Sequence, residues 1–104
     1  MTKMALSILC LFSVLTAGPL WAADVAAGQA KSDELCADCH GEKGYGDDTF
    51  PSVAGMPVED FTKAMQEYQD GTRDHRRMVK IAKELSDADI ADLAAYFAQF
   101  APDE

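Results

Sequence analysis

Apolar residues recur at helical spacing in three stretches of the chain, while alternation with a period of two is weak throughout. Val58, Phe61, Met65 and Tyr68 fall on one stripe of a helix that Pro57 opens and that runs to about Asp70, where Gly71 ends it. A shorter helix follows from about Asp74 to Glu84. Its inner row is Met78, Ile81 and Leu85, and its outer row is Arg73, Arg76, Arg77, Lys80 and Lys83. The last helix begins at Ser86, with Asp89 three residues on as an approximate capping box. Ile90, Leu93, Ala94 and Phe97 then repeat at i, i+3, i+4 and i+7, and Pro102 marks the end. Upstream, Ala26 to Ala37 reads as a first helix. Gly41, Gly44 and Gly46 with Asp47 and Asp48 predict a loop behind it, which Pro51 and Gly55 continue. The expected plan is all-α, without internal repeats.

The beginning of the chain follows a different pattern. Lys3 gives a short basic start, Met4 to Ala17 is an apolar run, Gly18-Pro19 breaks it, and small residues follow at Ala22 and Ala23. This predicts a secretory signal over residues 1–23 and one domain over 24–104, with no stable membrane insertion after cleavage. The alternative is a retained anchor, since Met4 to Ala23 is long enough to span a bilayer. Cys10 lies inside this segment and lacks a lipobox, because Leu9 stands where a small residue is expected.

Charge narrows the possible partners. The chain carries nine basic and eighteen acidic residues, a formal net charge of −9, and loss of Lys3 with the signal takes it near −10. Such a balance argues against nucleic acid and anionic membrane surfaces, and for a soluble protein that meets partners by electrostatic steering.

The chemistry concentrates in Cys36-Ala37-Asp38-Cys39-His40, the C-x-x-C-H signature of c-type haem attachment. Each thiol can add across one haem vinyl group, giving two thioethers, and the adjacent His40 then ligates the iron through an imidazole nitrogen. A redox dithiol lacks the βαβ pattern that would precede it, and a zinc site lacks ligands, since only His75 and Cys10 stand outside the motif. With Cys36 and Cys39 both consumed, an exported chain keeps no thiol for a disulfide. The domain is near the size at which a core alone gives thin stability, so a covalently held haem would serve as an apolar plate for the helices, with Tyr45 and Phe50 of the loop expected to wall it or to pack in the core. For the second axial position the domain offers Met56, Met65, Met78 and His75. Met65 lies on an apolar stripe and reads as core filler. His75 falls on or near the charged row and reads as solvated. Met78 faces inward from a segment far enough from His40 to cross to the opposite haem face. Met56, in a loop beside Pro57, reads as packing at the helix entry and is the runner-up to Met78.

The chain resembles the class I c-type cytochromes, and within them a subgroup close to the cytochrome subunit of flavocytochrome c sulfide dehydrogenase. The resemblance is carried by Cys36-Ala37-Asp38-Cys39-His40-Gly41, Pro51-Ser52-Val53-Ala54-Gly55-Met56, Met78-Val79-Lys80-Ile81-Ala82-Lys83 and the closing Ala95-Tyr96-Phe97. It implies the class I cytochrome c fold, about four helices packed around one covalently attached haem c. It places the family's methionine ligand on Met78 and its proline carbonyl, acceptor of the proximal imidazole N–H, on Pro51. It puts Gly28 and Tyr96, with Leu93 beside them, where the first and last helices cross. The implied function is a periplasmic one-electron carrier rather than an enzyme, with redox proteins as partners. A flavoprotein partner is the alternative, making the chain the electron-accepting subunit of a flavoenzyme complex. A third possibility is an enzyme or sensor with five-coordinate haem, in which Met78 is mere packing. The same stretches recur in halves of dihaem cytochromes, and only one C-x-x-C-H occurs here.

Overall fold

The computed structural model describes residues 23–102, and the expected signal segment lies outside them except for Ala23. Five helices follow in order: α1 (Val25–Leu35), α2 (Ala37–His40), α3 (Val58–Asp70), α4 (Arg76–Ala82) and α5 (Asp87–Ala98), with no strand among the described residues. The all-α plan holds, with two changes of boundary. The first helix does not run through to Ala37: it stops at Leu35, and Cys36, at φ −110°, separates it from the single turn that carries the rest of the haem motif. The basic helix is also shorter than its periodicity suggests, because His75 caps its N-terminus and Lys83 its C-terminus.

Helices α1 and α5 cross at close range, and the reason is local. A side chain at Gly28 would collide with the carbonyl of Asp92, and its Cβ would lie 2.9 Å from the Cβ of Tyr96. Only a residue without a Cβ lets the backbones approach this far. Asp24 fixes the end of the crossing twice over. Its carboxylate accepts the Ala27 N–H at 3.1 Å, and its own N–H donates to Asp92 Oδ1 at 2.8 Å. Opposite this contact α5 presents Ile90, Leu93, Ala94 and Phe97, all at most 2% exposed, to a core completed by Phe61 and Met65 of α3 and by Ala82 and Leu85. Each large apolar side chain buried here stabilises the fold by about 2 kcal/mol. The Ser86–Asp89 capping box is complete, with both reciprocal hydrogen bonds formed.

Two further contacts attach the loop after the motif to α5. Tyr96 donates its hydroxyl to the Glu42 carbonyl at 2.8 Å, and Gly55 N–H donates to the Phe97 carbonyl at 2.8 Å. Burial, and then the nearby Asp33 and Glu42 charges, push the Tyr96 phenol up, so it remains a donor. Gln69 of α3 reaches the other way, donating to the Ala82 and Leu85 carbonyls at 2.9 and 3.1 Å and holding the C-terminal end of α4.

Candidate haem site

A cavity of about 400 Å³ opens between α2, the loop at 49–56, α3 and α4. Cys36, Cys39 and His40 line one side. Phe50, Pro51, Val53, Phe61, Met65 and Tyr68 supply apolar walls, and Met78 and Ile81 come from α4. A smaller recess continues from this region into the core, bounded by Cys36, His40, Met65, Met78, Leu93 and Phe97 among others. Four distant segments of sequence thus meet in one space, and the motif and Met78 both belong to it.

His40 is buried, at 9% exposure, and its ring is oriented by the loop. Its Nδ1 lies 2.8 Å from the Pro51 carbonyl oxygen. A carbonyl only accepts, so Nδ1 carries the proton and donates, and the free lone pair is left on Nε2. Pro51 reaches this position through a tight fold of the preceding residues. Gly46, at φ 67°, lies so close to the Phe50 and Pro51 backbones that a Cβ there would strike them. Gly46 N–H also bonds the His40 carbonyl. Asp47 then accepts from the Thr49 and Phe50 N–H groups at 2.8 and 2.9 Å, closing the turn. These two bonds hold its carboxyl below the usual carboxylate range. Phe50 packs against the His40 ring, edge-on at 6.2 Å.

Cys36 and Cys39 are both half-buried free thiols. Burial, helped by the neighbouring Cys39, pushes the Cys36 thiol up to about 11, so at neutral pH it is a protonated thiol. Arg77 donates from Nη1 to Cys39 Sγ at 3.4 Å and stands over the Phe50 ring at 6.0 Å. Paired thiols, an imidazole with one nitrogen free, a thioether and an apolar hollow between them form a donor set that fits a haem attached at both sulfurs and ligated by His and Met.

Several sequence expectations change in detail. Tyr45 does not wall the cavity: it is 38% exposed, and its hydroxyl donates instead to the Ala101 carbonyl at 2.9 Å. Phe50 does line it. His75 is exposed, as expected of the charged row, yet it has a structural duty, since its Nδ1 accepts the Met78 N–H at 3.3 Å. It also borders the cavity. Met56 and Met65 border the same space as Met78, Met65 from the buried core. The sequence reading missed Gln69 and the contact of Arg77 with Cys39. Neither has a local signature, because an amide or a guanidinium on a helix usually faces water.

The fold and this donor set together define a helical domain built for one covalently bound haem c. Residues 23–97 match the family model described as cytochrome c oxidase, cbb3-type, subunit III, and the chain belongs to that family as a small class I c-type cytochrome. It is 40% identical to cytochrome c4 of Pseudomonas aeruginosa over 94% of its own length and 48% of the relative's. It is 33% identical to the thiosulfate dehydrogenase electron acceptor of Thiomonas intermedia over 86% of the chain and 43% of that protein. It is 38% identical to cytochrome c-554(548) of Halomonas halodenitrificans, covering 73% of the chain and 95% of the relative. Among solved structures, cytochrome c4 of Acidithiobacillus ferrooxidans superimposes with a TM-score of 0.72 at 29% identity, over 75% of this chain and 50% of that one. The chain spans about half the length of the first two relatives.

Proposed function

We propose that the protein is a periplasmic one-electron carrier whose haem c is held by thioethers to Cys36 and Cys39 and ligated by His40 Nε2 and Met78 Sδ. When bound, the haem supplies a single iron that changes between Fe(III) and Fe(II). The chain's own residues do the rest. Pro51 fixes the tautomer and orientation of His40 and raises its basicity as a ligand. The soft thioether of Met78 favours the ferrous state and so raises the potential. The apolar walls would keep water from the iron, and holding both ligand side chains on packed elements would limit rearrangement when the electron moves. The His40–Pro51 hydrogen bond carries the reading, because it leaves the one free imidazole nitrogen for the cavity that Met78 also lines. A relative named as a cytochrome, matched over 95% of its own length, supports a free-standing carrier. The absence of any helix long and apolar enough to cross a membrane, among the described residues, is compatible with it. The test is to express the full chain with cytochrome maturation machinery and compare it with Met78→Ala and Met56→Ala. The mature protein should gain the mass of one haem. Only Met78→Ala should lose the sulfur–iron absorption band and lower the potential. Loss of the band in Met56→Ala instead would transfer the ligand to Met56.

A second reading makes the chain the electron-accepting haem subunit of an oxidoreductase complex. The relative named as a thiosulfate dehydrogenase electron acceptor favours it. The resemblance to the cytochrome subunit of flavocytochrome c sulfide dehydrogenase adds a flavoprotein as candidate partner. Native co-purification separates the readings. A complex containing flavin or a second haem protein supports the subunit, and a monomer supports the free carrier.

A further inference from the structure

Charge on this molecule is strongly segregated. Residues 73–83 hold five basic side chains and one acidic one, whereas the rest of the expected mature chain holds three basic and seventeen acidic residues. Arg73, Arg76, Arg77, Lys80 and Lys83 are all exposed. Arg73 pairs with Glu67 at 3.2 Å, and the other four form no ion pair among the described residues. A cluster of like charge with one ion pair among five members is unfavourable for folding. The cluster also borders the haem cavity. Arg73 and Arg77 line it, and Arg77 reaches Cys39 Sγ at 3.4 Å, so the positive face ends at one of the two attachment sulfurs.

We propose that the exposed face formed by Arg73, Arg76, Arg77, Lys80 and Lys83 is the docking surface for an acidic redox protein. The inference rests on the electron-carrier reading above. Carboxylates on such a partner would meet this face while the remaining acidic surface repels them, which orients the encounter so that the partner's redox centre lies against the Cys39 edge. An anionic lipid surface would also meet the basic row. The structure favours a protein because the exposed large apolar residues, Val25, Tyr45 and Val58, lie elsewhere, leaving α4 none to insert into a bilayer.

The test uses the complete haem-loaded protein, reduced, and hexacyanoferrate(III) as an anionic probe. One electron leaves the ferrous haem and reduces hexacyanoferrate(III) to hexacyanoferrate(II). Governed by net charge, the rate would rise with salt, because two negative bodies are being screened. Governed by the basic face, it should fall with salt, by about tenfold between low ionic strength and 0.2 M. R76E/K80E, which changes no cavity-lining residue, should reverse the trend while leaving the spectrum unchanged and the melting temperature no lower. A short polyglutamate peptide should compete with the probe at low salt. A rate that rises with salt in the unaltered protein, an unchanged slope in R76E/K80E, or no competition would overturn the proposal. Salt-sensitive pelleting with phosphatidylglycerol vesicles, abolished by R76E/K80E, would overturn it in favour of a lipid surface. No electron exchange with hexacyanoferrate at any salt concentration would instead sink the carrier reading, and the inference with it.

Discussion

The two sides of the haem cavity are built by different means. On the His40 side, beside the Asp47 and Tyr96 side-chain bonds, backbone holds backbone at four points: Gly46 N–H to the His40 carbonyl, Val53 and Ala54 N–H to the Gly44 carbonyl, and Gly55 N–H to the Phe97 carbonyl. His40 itself is anchored to a carbonyl of that network. On the Met78 side, a helix of seven residues is held by side chains, with His75 capping one end and Gln69 the other. Backbone bonds survive most substitutions, whereas a side-chain clasp is removed by one. The His40 side is therefore the rigid frame, and the Met78 side is where the molecule should yield first.

Removing each proposed axial ligand probes this difference most strongly. His40→Ala should lower the yield of haem-loaded protein by more than the roughly tenfold to hundredfold that loss of an outer-shell partner costs a metal site. Met78→Ala should still yield coloured protein of full haem mass, altered only in spectrum and potential. Equal yields, measured by haem absorbance per milligram after export, would erase the proposed asymmetry.

Next in size is the helix crossing on which the rigid side rests. Gly28→Val must push α1 away from Asp92 and Tyr96 and should cost about 3 kcal/mol in denaturant unfolding. A cost under 0.5 kcal/mol would mean that the helices separate without penalty.

Gln69→Ala should cost about 1.5 kcal/mol, since two carbonyls at the end of α4 lose a donor. Its signature is more telling than its size. The sulfur–iron band should fade at lower denaturant than the signals of the His40 side. Simultaneous loss would show that both sides open as one unit.

The smallest effect concerns pH. The carboxyl of Asp47 is lowered by the Phe50 and Thr49 N–H groups, so its contribution to stability is present above its ordinary value of 3.8 and is lost as pH falls through the lowered one. Asp47→Asn should flatten the fall in melting temperature on acidification below pH 4, while changing it little at pH 7. An identical acid limb in both proteins would remove Asp47 from the account.

The readability of these features from sequence follows the same division. The haem motif is local, since five consecutive residues state the chemistry, and helices α3 and α5 are legible because their apolar positions repeat along one face. Gly28, Tyr96 and Pro51 were reached through family resemblance, and their contacts bear it out. The break at Cys36 was not legible, because no proline or glycine interrupts residues 29–40 and only tertiary packing turns the sulfurs inward. Tyr45 was misplaced for a similar reason: an aromatic in a glycine loop suits a cavity wall or a surface clasp equally well, and the carbonyl of Ala101 decided. The choice among three methionines is equally non-local, since all three border one space.

The bond from Asp24 N–H to Asp92 Oδ1 joins residues 68 positions apart. A chain delivered to the periplasm from its N-terminus, as the proposed localisation requires, would present the paired cysteines before the last helix that closes the bundle. Until that segment is free the first helix has nothing to cross, and loops of this span close late in folding. On the proposed reading the motif would pass through an interval in which both sulfurs are open to an attaching catalyst, and completion of the bundle would then close over the bound group.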